Sequence, residues 1–401
     1  DASLNISDND AATVSFAATQ NGDGSGLVSG VFTVTQSAVS STPTMVAYSV
    51  IGGDATSSSD FTALSGMVTI SAGSTSATIN VPVLQDSMIE GTETLVVRLD
   101  SIMAGDGQIT VGGQNQATLE IDDDDTATIS IAATTNASEE GPTDGVFTVT
   151  QSAASTADTT LIYTVSGTAE SGLDFAVLNG FVTITAGSTS ATITVPAIDD
   201  ALVEEIETSI ITLDMITSGN TPQVTIDPAG NTASLDLEDN DSGTLRLAAT
   251  TNGSEAGPVD GRFTISQSAT CSTDTVISYS SSGSATSGID FTAFSGTVTI
   301  QAGSTTATID VPVIDDDLDE GPETVSVTLF NITSGDSQIT IDGNANSATI
   351  EIADNEVPRV SIVPITDGDE SGPINGAFTV SQTILTDIDT VITYAVSGTT
   401  T

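Results

Sequence analysis

The chain of 401 residues has no lysine, no histidine and no tryptophan, and a single cysteine, Cys271. Without histidine it lacks the commonest general base and the commonest metal ligand. Without lysine it can form neither a Schiff base nor a Lys–Asn isopeptide crosslink. One cysteine excludes an internal disulfide framework. No apolar run reaches the length of a membrane-spanning helix. Cations are almost missing too: Arg98, Arg246, Arg262 and Arg359 face 54 acidic residues, for a net charge of -50. Such a chain repels nucleic-acid backbones and anionic membrane surfaces and attracts cations. No nucleophile has a base to activate it, so no catalytic residue is assigned and the chain reads as a non-enzyme.

What remains is rich in Thr, Ser, Val, Ile, Gly and Asp, a β-sheet composition suited to secreted surface proteins. It is also repetitive. The Phe of a GVFTVTQSA-like phrase falls at Phe32, Phe147, Phe263 and Phe378, a spacing of 115 or 116 residues. An Asp-Phe pair recurs at Asp60-Phe61, Asp174-Phe175 and Asp290-Phe291, and an acidic exit at Asp8, Asp123, Asp239 and Asp354. That period is too long for a solenoid and matches a whole domain. Residues 1–10 read as the end of a preceding repeat. Complete repeats span 11–124, 125–240 and 241–356, and 357–401 carries only the first strands of a fourth. The chain is therefore expected to be a window on a longer polypeptide.

The second repeat predicts seven strands: β1 at 126–132, β2 at 146–151, β3 at 159–166, β4 at 181–185, β5 at 191–198, β6 at 209–214 and β7 at 232–237. Alternation supports them; in β5, Ala191, Ile193 and Val195 face one way and Thr192 and Thr194 the other. Pro196 suggests a sheet edge or a bulge. Seven short antiparallel strands per repeat predict an all-β fold of tandem β-sandwiches in a linear rod. Phe147, Tyr163 and Phe175 are the expected aromatic core. Links between repeats are too short to act as flexible tethers.

In such a sandwich the β1–β2, β3–β4 and β5–β6 loops share one end with the exit of β7, and these segments carry the acids. In the second repeat they are Glu139, Glu140, Asp174, Asp199, Asp200, Glu204, Glu205, Asp239 and Asp241. The third repeats the pattern with Glu255, Asp290, Asp315, Asp316, Asp317, Asp354 and Glu356. The first has Asp60, Asp86, Glu90, Asp123 and Asp125, but Gly24 replaces the β1–β2 Glu. Two carboxylates about 4 Å apart repel by roughly 4 kcal/mol at an effective dielectric near 20. Converging acids therefore need a counter-ion or protons. Oxygen ligands without His or thiolate select a hard cation, and flexible loops favour Ca²⁺ over Mg²⁺.

The series E-x-G-P-x-D-G-x-F-T-V, S-G-x-D-F, V-P-x-I-D-D, E-T (Glu207-Thr208, Glu323-Thr324) and I-x-D-D-D resembles the Calx-β domain, over nearly the whole chain. The resemblance implies a seven-strand sandwich holding several Ca²⁺ ions per repeat at one end. Its ligands would map to Glu139, Asp174, Asp239 and Asp241, to Glu255, Asp290, Asp354 and Glu356, and to Asp60, Asp123 and Asp125. Asp199, Asp200, Asp315 and Asp316 are further candidates. The wording of the repeats is similar to that of giant surface adhesins of Bacteroidetes, including gliding-motility adhesins. The expected role is a Ca²⁺-stiffened stalk of an extracellular, cell-surface adhesin, its partners being neighbouring repeats, with lateral self-association open and the surface or host ligand bound elsewhere. A calcium-sensing module or a self-associating structural filament is the alternative. Asp-Thr-apolar triplets also resemble a Bacteroidetes O-glycosylation sequon, with acceptors at Thr159, Thr275 and Thr390.

Overall fold

The computed structural model describes Leu4, residues 9–372 and residues 374–398. The expected end of a preceding repeat, with Asp8, lies almost wholly outside them. Every regular element among the described residues is a strand. In the second repeat β1 is Ala127–Thr135, β2 Gly145–Gln151, β3 Thr159–Gly167, β4 Phe181–Ile184, β5 Ser190–Val195, β6 Glu207–Ser218 and β7 Thr232–Glu238. One sheet runs β5-β2-β1 and the other β7-β6-β3-β4. β5 is an edge strand, as Pro196 beside it requires, and the Pro196 carbonyl accepts the Ala176 N–H at 2.9 Å.

Two short strands extend the sheets. Val224–Ile226 runs parallel to β1 and extends its sheet. Ala137–Ser138, just after β1, joins the edge of β7 in the opposite sheet. The first and third repeats do the same, with Gly22 opposite Ile121 and Gly253 opposite Ile352. The chain therefore changes sheets immediately before the β1–β2 loop, which delivers that loop to the exit of β7. β6 is twice as long as predicted. It begins at Glu207 and holds its register with β3 through two irregularities, between Thr160 and Leu161 and between Ile162 and Tyr163.

Period-2 burial closes the sandwich. Phe147 is fully buried, with Ala133 and Ile193 as its cross-strand neighbours. Phe175 and Tyr163 complete the expected aromatic core, at 1% and 6% exposure. Each such apolar side chain contributes about 1.5–3 kcal/mol. The other repeats are built alike around Phe32, Tyr48 and Phe61, and around Phe263, Tyr279 and Phe291.

The chain divides into two compact units. One holds the described residues up to Ala137 with Pro142–Ile198 and Thr208–Leu237; the other holds Ser138–Gly141, Asp199–Glu207 and the described residues from Glu238 onward. Within the first unit, Ile89 leaves the β5–β6 loop of the first repeat and is buried in the core of the second. Its N–H donates to Ala154 O and its carbonyl accepts from Thr156 N–H, both at 2.9 Å. Within the second unit, Val203 is likewise buried in the core of the third repeat, in parallel pairing with Cys271.

Candidate metal centre

The sheet change before the β1–β2 loop fixes the depth of one carboxylate. Glu139 follows Ala137–Ser138 directly, its N–H donates to Glu238 O at 3.0 Å, and its side chain is 4% exposed. There it meets Asp200 and Asp241, with one carboxylate oxygen from each of the three lying within 4.8 Å of the others. Glu255, 4% exposed, forms the same kind of group with Asp354 and Glu356. The β7 exits are shaped by their own backbones. Asp239 accepts the N–H of Asp241 at 2.9 Å on one oxygen and that of Glu204 at 2.9 Å on the other. Asp354 does the same with Glu356 and Glu320, both at 2.9 Å. Asp123 accepts from Asp125 at 3.1 Å and from Glu90 at 2.9 Å.

The Asp of the Asp-Phe pair is held from beneath. Phe61, Phe175 and Phe291 are anchored in the cores, so Asp60, Asp174 and Asp290 are buried beside them. Each turns one oxygen onto a backbone N–H four residues earlier, that of Thr56, Glu170 and Thr286. In the first repeat Asp60 lies with Glu90 and Glu93. In the third, Asp290 faces Glu320 and Glu323.

The electrostatics are those of acids without enough donors. Burial, with the charges of Asp239 and Asp200 behind it, pushes the Glu139 carboxyl up to about 7. Burial and the neighbouring Asp354 and Glu356 do the same to Glu255, also to about 7. Burial raises Glu90 to about 7, reinforced by Asp60 and Asp86, and Glu93 to about 8, reinforced by its contact with Asp60. Glu323 is raised to about 7 by burial and Asp290. Asp354 goes the other way: its burial is outweighed by hydrogen bonds from Glu356, Gly321 and Glu320, which hold it at about 2. Among the described residues, five buried carboxylate oxygens have no hydrogen-bond donor: Glu139 Oε2, Asp241 Oδ2, Glu255 Oε2, Glu356 Oε2 and Asp290 Oδ1. Such an oxygen is costly unless a proton or cation reaches it. A hard divalent cation fits this donor set, which is oxygen throughout.

The predicted residues divide accordingly. Glu139, Asp200 and Asp241 come together, as do Glu255, Asp354 and Glu356, while Asp123 and Asp125 cluster with Asp124. Asp199 and Asp315 do not join. Both are exposed and accept from amide side chains, Asn240 at 3.2 Å and Asn355 at 2.8 Å. Asp316 accepts the Leu318 N–H at 2.8 Å and so shapes its loop, as Asp200 does with Leu202 at 2.7 Å. Glu93 and Glu323, which lie beside Asp60 and Asp290, were not among the predicted residues. Both belong to the E-T motif at the start of β6, which served only as a family signature. The glycosylation expectation does not fit the fold at two of its three positions. Thr159 and Thr275 are 1% exposed with enclosed hydroxyls, because they start the inward-facing series continued by Leu161 and Tyr163, or Ile277 and Tyr279. Thr390 is exposed.

Tandem β-sandwiches, each with an acidic, oxygen-only end, define a class of repeat protein. The model of the Calx-beta domain matches residues 7–125, 122–241 and 238–356, and the chain belongs to that family. No curated protein matches it. Among solved structures it is similar to CBD12 from CALX1.2, at 13% identity and a TM-score of 0.26, covering 56% of this chain and 99% of that one. It is also similar to a tetra-tandem repeat in the extending region of a large adhesion protein, at 13% identity and a TM-score of 0.35, covering 94% of this chain and 89% of that one.

Proposed function

We propose that the chain is a Ca²⁺-stiffened stalk segment of a large extracellular adhesin. The observation that carries the metal part is the set of buried carboxylate oxygens without donors, led by Glu139 Oε2 and Asp241 Oδ2. Glu139, Asp200 and Asp241, and Glu255, Asp354 and Glu356, would hold Ca²⁺ at the β7 exits; Asp60 with Glu90 and Glu93, Asp290 with Glu320 and Glu323, and Asp174 would hold it beside the Asp-Phe anchor. Bound cations would cancel repulsion among loops that also bear the contacts to the next repeat. Gln223 of the second repeat donates to the carbonyl and the carboxylate of Asp123, at 3.0 and 2.8 Å. Gln338 of the third donates to the same two groups of Asp239, at 3.4 and 3.1 Å. Asp123 and Asp239, which the sequence reading makes ligands, would thus also anchor the neighbouring repeat. Three like repeats and a charge of -50 support a spacer role outside the cell.

Small-angle scattering of the chain with Ca²⁺ and with chelator tests the reading. A longer and less flexible particle in Ca²⁺ is expected. Identical curves would count against stiffening.

A further inference from the structure

The β5–β6 loops carry an apolar residue that the metal site does not use. Aligned on the Asp whose carboxylate caps the loop, they read Asp86-Ser-Met-Ile89-Glu90, Asp200-Ala-Leu-Val203-Glu204 and Asp316-Asp-Leu-Asp319-Glu320. Ile89 and Val203 stand at the same position, and both are fully buried although flanked by acids. Neither fills its own repeat. Ile89 lies in the core cluster of the second repeat and Val203 in that of the third.

The receiving surface is also the same in both cases. It is the β2–β3 turn, where Ser155 bridges Ile89 and Cys271 pairs with Val203. The backbone completes the fit: Ser272 N–H donates to Val203 O at 3.1 Å, as Thr156 N–H does to Ile89 O. Ser155 and Cys271 are each 2% exposed. The first repeat shows this surface without a plug among the described residues. There Ser40 is half-buried, the adjoining Val39 is 67% exposed, and the turn borders a depression of about 610 Å³ together with Gly73 and Ile109. The difference between Ser40 and its counterparts is what the plug covers.

We infer that this turn is a socket whose partner is the β5–β6 loop of another repeat with an apolar residue three positions after the capping Asp, and that the joint so formed holds whether or not cations occupy the acidic end. The seated contact consists of apolar burial and backbone hydrogen bonds, neither of which needs a metal. The position also sets how deeply the plug is seated. In the third repeat it holds Asp319, which makes the same backbone joint with the turn that follows: it pairs with Thr386, and its carbonyl accepts the Asp387 N–H at 3.2 Å. Its side chain is only half-buried there, whereas that of Val203 is fully buried, as the cost of burying a carboxylate implies. Joints would therefore differ along an array according to this one residue. The inference deepens the stalk reading by placing a metal-independent pivot inside a metal-braced joint, and it rests on that reading only for the bracing.

Cys271 supplies a native probe, since the only thiol lies in a plugged socket. Its labelling by a maleimide is measured on the whole chain in Ca²⁺ and in chelator. The parent should stay protected in both, and Val203→Ile, which copies the first loop, should match it. Val203→Asp, which copies the third loop, should label roughly tenfold faster or more, as loss of one buried aliphatic contact implies. The amides of Phe263 and Ile265 should stay protected from exchange, separating an opened joint from an unfolded repeat. If Val203→Asp unfolds the third repeat, Val203→Ala replaces it, again with faster labelling expected. Labelling as slow as the parent in the variant used overturns the plug. Exposure of Cys271 in the parent on chelation, to the level of the variant, overturns its independence from metal. A scattering change on chelation with Cys271 still protected supports both readings; no scattering change with Cys271 protected sinks bracing alone.

Discussion

The first repeat and the two after it share a fold but differ at the acidic end, where Asp124 also stands in place of Asn240 and Asn355. Gly24 stands where the others bury Glu139 and Glu255, and Gln85 stands where they carry Asp199 and Asp315. In the first repeat the Gln85 amide donates to Asp124 Oδ1 at 3.0 Å. The same pairing of one amide with one carboxylate occurs, reversed, as Asn240 with Asp199 and Asn355 with Asp315, so what the first repeat lacks is the deep carboxylate. The cluster of Asp60, Glu90 and Glu93 is kept. The loss of the buried Glu is therefore the change that alters the acidic end, and it leaves the neighbouring cluster in place.

The largest expected consequence is an uneven response to Ca²⁺. One cation at about a hundred times its dissociation constant adds about 2.7 kcal/mol, on the order of 10 °C for a domain of this size. The second and third repeats, with both groups of acids, should gain more than the first. Calorimetry with Ca²⁺ and with chelator, its transitions assigned by peptide-resolved hydrogen exchange, checks this. An equal or larger gain in the first repeat would remove the comparison.

Next in size is a dependence on pH in chelator. Glu90, Glu139, Glu255 and Glu323 are raised to about 7 and Glu93 to about 8, whereas unfolded Glu titrates at about 4.3. A carboxyl with a raised folded value stabilises fully below its unfolded value and loses that contribution as pH climbs through the folded one. Metal-free stability should therefore fall between about pH 5 and pH 8, and Ca²⁺ should flatten the fall by replacing the proton. Urea unfolding at pH 6 and pH 8.5 decides it. Rising stability with pH in chelator would contradict the buried-acid account.

Much of this was legible in the sequence, and what was not has physical causes. Alternation located the strands and the aromatic cores because burial in a sandwich has a period of two. The short strands at Ala137–Ser138 and Val224–Ile226 were invisible, since two or three residues carry no period. The exit aspartates and Glu139 could be read from recurrence at one end. Glu93 and Glu323 were hidden because they begin a strand and look like part of its pattern. Ile89 and Val203 left a trace that went unused: a lone apolar residue in an acidic loop. Their partners lie in the following repeat, far along the chain, where local pattern says nothing. The misplaced glycosylation expectation had its warning in β3, where Thr159, Leu161 and Tyr163 share a face.

A single residue should reproduce part of the difference between repeats. Glu139→Gln keeps the shape and removes the charge, bringing the second repeat closer to the first. Its Ca²⁺ affinity should drop by about one to two orders of magnitude, because affinity at such sites follows the count of charged ligands. In chelator above pH 7 the variant should be more stable than the parent, since the carboxylate it replaces is strained there. Titration calorimetry together with melting in chelator reads both. Unchanged affinity would release Glu139 from the site.

The smallest effect is expected in the reverse direction, Gly24→Glu combined with Gln85→Asp. A Cβ on Gly24 would come 2.6 Å from Asp124 Oδ1 and 3.1 Å from Gln85 Oε1, and 3.4 Å from the Asp122 carbonyl. The two closest atoms end flexible side chains that can rotate away, so the backbone does not forbid the change. The gain is small because the new Glu must enter a crowded cradle, and the amide contact of Gln85 with Asp124 is lost. With Ca²⁺ the first repeat should melt a few degrees higher, about 1 kcal/mol, and the ion count of the chain should rise by one. In chelator it should melt lower than the parent, since one more buried carboxylate then lacks a partner. An unchanged ion count with an unchanged melting temperature in both conditions would mean that Gly24 is not where the first repeat lost its site.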